Sequence, residues 1–161
     1  MLRRRVFSVA LVAALLGTGC SGEDDTVNKA KIKPMLGAVM HSRLDDVRAL
    51  AARQEGLDER DEAVNATPMI LAAGTNQWRM VETLVDHGAD IWAHDEFGIT
   101  AAQRTQTSRV LPGSEEDRAR QRVIAKLKAR GYPFPPPASD EVLRLVEAGA
   151  WPPGGAGGTK R

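Results

Sequence analysis

The chain has 161 residues, room for one modest domain or for a repeat array of three or four units. Apolar residues make up 42 % and charged residues 27 %, which excludes wholesale disorder, and aromatics at only 4 % call for a core of aliphatic side chains and alanine. A formal net charge of +1 excludes the strongly basic surface that nucleic acid requires.

The first element in chain order reads as an address. Arg3-Arg4-Arg5 precedes a predominantly apolar run, Val6 to Leu16, that closes on Gly17-Thr18-Gly19-Cys20. Basic, then apolar, then small is the order of a secretory signal. A run of this length rises about 16 Å as a helix, short of the ~30 Å hydrocarbon core, so no permanent span is expected. Cleavage there removes three basic residues and brings the balance to about −2. Cys20 is the only cysteine, so no internal disulfide can form.

Leu16-Gly17-Thr18-Gly19-Cys20 resembles the lipobox of bacterial lipoproteins, with Gly17 where that family more typically has Leu. The resemblance implies removal of residues 1–19, a diacylglycerol on the Cys20 thiol and a fatty acid such as palmitate on the new amine. Two or three acyl chains hold a membrane stably where one does not. Ser21, in place of Asp, is similar to the outer-membrane sorting pattern, so a periplasm-facing position is implied. Arg4-Arg5-Val6-Phe7 is also similar to a twin-arginine export motif. Residues 20–32 are small, polar and charged and are expected to form a flexible tether.

A repeat occupies the rest. Pro34-Met35-Leu36-Gly37-Ala38 opens a first unit (33–66), followed by Val47-x-x-Leu50 and Arg60-Asp61-Glu62. The second unit (67–99) is the clearest. Thr67-Pro68-Met69-Ile70-Leu71-Ala72-Ala73 leads to Val81-Glu82-Thr83-Leu84-Val85, His87-Gly88-Ala89-Asp90 and Asp95-Glu96-Phe97-Gly98-Ile99. Thr67 can cap the helix that starts at Pro68, a position whose amide has no partner in any case. Asn76 suits a left-handed cap, Val81, Leu84 and Val85 form one apolar stripe, and Gly88 ends the second helix. Trp78 aligns with Leu44 at the start of a second helix and is expected in the core.

Thr100-Ala101-Ala102 restarts the pattern in a third unit (100–133). Its second helix carries Ile124-x-x-Leu127 and Gly131, displaced by an insertion near Thr107 to Asp117, and Ser114-x-x-Asp117 reads as a capping box. Tyr132 and Phe134 are expected to pack beneath the last helix. A half unit (134–151), Ser139 to Ala150, supplies one more outer helix between proline breaks, and 152–161 reads as a flexible tail.

This beat of 33 residues, with its Thr-Pro opening and Gly-Ala-Asp close, resembles the ankyrin repeat, except that the family's His is Ile70 here. The resemblance implies an all-α fold, a short ankyrin-like solenoid of about three and a half helix-turn-helix repeats over 33–151.

Nothing in the pattern supplies catalysis. No nucleophile is paired with a base, and the glycines from Gly154 to Gly158 lack the following helix and Lys-Ser/Thr of a phosphate loop. His87, Asp90, His94 and Asp95 match no closed zinc spacing, and His41 stands apart. No cofactor, metal or small-molecule substrate is expected.

In ankyrin proteins the hairpin tips and the exposed face of the first helices grip a partner protein. The matching positions are Met40, His41, Arg60, Glu62, Gly74, Thr75, His94, Glu96, Phe97 and Ile99, with Phe97 foremost because an aromatic on a hairpin tip suits an interface. The implied function is a monomeric adaptor or inhibitor that binds another protein at the envelope. A passive envelope lipoprotein and an immunity protein that neutralises a delivered toxin are the alternatives.

Overall fold

A computed structural model describes residues 33–155. The signal, Cys20 and the tether, expected over 1–32, lie outside the described residues, as does most of the expected tail. The fold is all-α: α1 (Pro34–Met40), α2 (Leu44–Ala52), α3 (Pro68–Gly74), α4 (Trp78–Asp86), α5 (Ala101–Thr107), α6 (Glu115–Ala129) and α7 (Ser139–Glu147), with a 3₁₀ turn at Pro153–Gly155. Among the described residues the only β pairing is a single antiparallel bridge between His94 and Thr100, and no helix is long and apolar enough to cross a membrane.

Helices of seven and nine residues are too short to stand alone in water, so packing must hold them. Each first helix packs on its own second helix. The first helices also contact one another in order, α1 on α3 and α3 on α5, and so do the second helices, α2 on α4 and α4 on α6. One continuous core runs through this arrangement, rich in fully buried alanines such as Ala38, Ala51, Ala72 and Ala102 that let the backbones approach. Trp78 is completely buried at its centre, as expected, and its indole N–H donates to Ser108 Oγ at 2.9 Å.

Long-range hydrogen bonds that each involve a side chain repeat the beat. Gln54 Nε2 donates to the His87 carbonyl, Asp90 N to Asp58 Oδ1, Ser108 Oγ to Asn76 Oδ1, and Tyr132 Oη to Thr100 Oγ1, each across 32 or 33 residues. Each unit is therefore bonded chiefly to the next.

Local signals operate as read. Thr67 Oγ1 accepts from Ile70 N, Pro68 opens α3, and Asn76 and Gly88 are left-handed at φ 61° and 88°. Ser42 (φ 56°) and Gln54 (φ 59°) hold the matching places one unit earlier, without a glycine or asparagine to ease them. Thr100 adds a full capping box with Gln103.

Four expectations are corrected. Ser114 Oγ does accept from Asp117 N, but the Asp117 carboxylate turns to Gly113 N and Arg120, so only half of the expected box forms. The buried stripe of α6 is Ala119, Val123 and Leu127, at four-residue steps; Ile124 is only half-buried. Part of the insertion lengthens the connector, 108–114 against 75–77, and the rest extends α6 to 15 residues against nine in α4. Finally, the ring partners of Tyr132 all lie outside α7. It stacks on Trp92 with ring centroids 4.5 Å apart, and Trp151 meets both rings edge-on while Phe134 borders Tyr132. Trp151 Nε1 donates to the Trp92 carbonyl at 2.8 Å.

α7 joins neither row of helices along its length. It lies against the 94–100 hairpin, where a Cβ on Gly98 (φ 75°) would come within 2.3 Å of the Ser139 carbonyl. Glycine is required there by contact as well as by dihedral.

Between α4 and α6 the exposed edge is ionic. Arg122 and Lys126 both bind Glu82, Lys126 also reaches Asp86 at 2.7 Å, and Arg79 reaches Glu116 at 2.9 Å. Hydrogen bonds from Arg122 first, and from Lys126, hold the Glu82 carboxyl down at about 2.

Candidate functional site

Two acidic turns build the hairpins that carry most of the predicted contact residues. Asp61 accepts from the amides of Ala63, Val64 and Ala66, and Asp95 accepts from those of Phe97 and Ile99. Each carboxylate thus organises its tip from within, as Asx turns do. The hairpins are tied to one another as well. Glu96 N donates to the Val64 carbonyl at 3.0 Å, and Arg60 Nη1 donates to the carbonyls of Asn65 and His94.

Against this frame, Leu36 and Met40 share one face of α1 by their helical spacing, and Lys33 stands at its N-cap position. Together with Arg60, Glu62 and Ala63 they line an open groove of about 250 Å³. Its wall is largely apolar, with mixed charge at the rim. The structure therefore brings together Met40, Arg60 and Glu62 from the predicted set. Arg60 links them to His94, whose hairpin bears Glu96 and Phe97. Met40 is 60 % exposed and Phe97 55 % exposed, so two large apolar side chains face water along the hairpins and the first helix. Such exposure carries a solvation cost that a partner surface would relieve.

The other predicted residues are placed differently. His41 is exposed just past α1, and His94 Nδ1 lies 2.8 Å from the Asp95 carbonyl. Ile99 is half-buried and its carbonyl receives Asp95 N, so it serves the turn. Gly74 and Thr75 sit at the far end of α3 from its hairpin. Thr75 Oγ1 donates to the Leu71 carbonyl and receives Gln77 Nε2 at 2.6 Å, while Gly74 borders a separate cavity with Arg104 and Arg109.

Sequence reasoning missed Lys33 and Leu36 in the groove. The signal for Leu36 was present, since positions 36 and 40 share one helical face, but the first unit is too worn for the repeat pattern to point there.

Of the histidines and aspartates weighed as metal ligands, Asp90 caps Trp92 N and Asp95 is spent on its own turn. Among the described residues no group of three or more His, Cys, Asp or Glu side chains is gathered closely enough to hold a metal ion.

Compared with known proteins, the chain matches no family model and no curated sequence.

Proposed function

We propose that this chain is a short ankyrin-like array, held by lipid at the periplasmic side of the envelope, that binds another protein and performs no chemistry itself. The observation that carries the reading is two exposed apolar side chains, Met40 in the wall of the groove with Leu36, Arg60 and Glu62, and Phe97 on the neighbouring hairpin. Hairpins locked by Asp61 and Asp95 and bonded to each other would offer this surface already ordered, so a partner would bind without the entropy loss of arranging loops. The order of helix contacts and the recurring bonds at 32 to 33 residues support the array reading. Anchoring at Cys20 would confine both proteins to one surface and raise their effective concentration.

Two experiments test it. Replacing Glu96 and Phe97 together with alanine should remove a partner recovered by membrane-side crosslinking while leaving the melting temperature in place, because the turn depends on backbone amides and Asp95. Undiminished capture would reject the Glu96–Phe97 hairpin as a contact surface, and the absence of any stoichiometric partner would favour a passive envelope role. A fatty-acid analogue should label the wild-type chain and not Cys20→Ala; equal labelling of both ends the anchor claim.

A further inference from the structure

We propose that the chain also carries an oxyanion-binding site, in the cleft between the α3–α4 turn and the connector that leaves α5. The cleft has a volume of about 340 Å³ and is lined by Gly74, Asn76, Arg104, Thr107, Ser108 and Arg109, together with Ala73. No acidic side chain is among them. The wall of the site is fixed by hydrogen bonds that occupy the Asn76 side-chain acceptor. Asn76 Oδ1 is taken up by Ser108 Oγ at 2.8 Å and by Arg109 N at 3.2 Å, which leaves the Asn76 amide NH₂ as a donor. Ser108 Oγ in turn receives the buried Trp78 indole, so the connector is fixed to the core.

Two arginines then meet at this fixed wall without a counter-charge. Elsewhere among the described residues, the guanidinium groups hold carboxylates, as at Arg43, Arg79, Arg120 and Arg122, or backbone carbonyls, as at Arg60 and Arg118. Apart from the exposed Arg130, the exceptions are Arg104 and Arg109, and both line this cleft. Arg104 Nε is buried with no acceptor. A buried charged donor left unmatched is costly, and native structures rarely tolerate one without a reason. The space beside Gly74 is open, since a Cβ there would meet no atom within 4 Å.

Two guanidinium groups, the Asn76 amide and the Thr107 hydroxyl, with no competing carboxylate, suit a carboxylate or phosphate group. Arginine binds either one through paired N–H donors. The ligand can come from an acidic segment of a partner or from free phosphate. The cleft is separate from the groove at Met40, Arg60 and Glu62, so either site can fail alone.

The test is a titration of the isotope-labelled full chain with inorganic phosphate and, separately, with a hexaglutamate peptide, chloride keeping ionic strength constant. The signals followed are the Trp78 indole N–H, one bond from the cleft wall, and the Arg104 Nε–H. A saturable shift with at least one probe is expected, weakened at least about tenfold in Arg109→Gln and abolished in the Arg104→Gln, Arg109→Gln double variant. Arg109 is exposed, so its single variant keeps the fold and the test stands even where the double variant does not. Saturation by phosphate alone assigns a free anion, and tighter binding of the peptide assigns an acidic partner segment. Linear, non-saturating shifts with both probes, or equal affinity in Arg109→Gln, would overturn the site.

Discussion

The two ends of the helix rows face the same problem and solve it differently. An end helix pair has a neighbour on one side only, so its outer face must meet water. At the amino end, α1 and α2 do this with modest means: Leu44 and Leu50 are left half-buried, and the pairs Arg43–Asp46 and Arg48–Asp45 sit in the open. At the carboxyl end, Trp92, Tyr132, Phe134 and Trp151 close over the core as one aromatic cluster. Exposed ion pairs contribute little, whereas buried rings contribute both area and ring-ring attraction. Stability is thus concentrated toward the carboxyl end, and the groove at Met40 and Arg60 occupies the more lightly held one.

That contrast can be broken most forcefully at Trp92. Trp92→Ala should cost about 3–5 kcal/mol in denaturant unfolding, while Leu44→Ala at the other end should cost about 1–2 kcal/mol. Equal losses would show that the ends are equivalent. Alkaline titration probes the same cluster. Burial pushes the Tyr132 hydroxyl up to about 12, so the folded state keeps its proton after the unfolded chain, near 10, has lost it. Stability from this group is present below pH 10 and is lost as pH rises toward 12, on the order of 2 kcal/mol; Tyr132→Phe should flatten that slope.

Acid probes the joint between α4 and α6. Glu82, held at about 2, stabilises the fold above its unfolded value near 4.5 and loses that contribution as pH falls from there to about 2. Allowing for the exposed Arg122, the effect is on the order of 1–2 kcal/mol, and Glu82→Gln should remove the acid slope seen in denaturant midpoints. The smallest change should be a gain at the amino end. Ser42 is exposed and left-handed, so Ser42→Gly is expected to add up to about 1 kcal/mol. A loss there would mean that Ser42 contributes a contact beyond its backbone shape.

Features set within one turn of chain were legible in the sequence. Thr67 as cap, Pro68 at its first position, Asn76 and Gly88 as left-handed stops and Trp78 as core all follow from residue chemistry and spacing. What the sequence hid was long-range. The aromatic cluster joins residues up to 59 positions apart, and no local pattern announces it. In α6 an apolar stripe through Ile124 and one through Val123 differ by a single residue, and it is Val123 that faces inward. Met40 and Phe97 were readable as exposed positions from the repeat. The Arg104 cleft was not, because the lack of a partner is a property of three-dimensional neighbours and leaves no mark in the letters.

Trp151 gives its N–H to a carbonyl in the second unit, stepping over the whole third one. Fraying from the carboxyl end is therefore latched: α5 and α6 cannot peel away singly while that bond and the rings around it stay shut. Opening must begin at α1, beside the groove. Amide exchange should then run as a gradient along the chain, fastest in α1 and slowest in α4 and α6, so the wall of the groove is the part that breathes first.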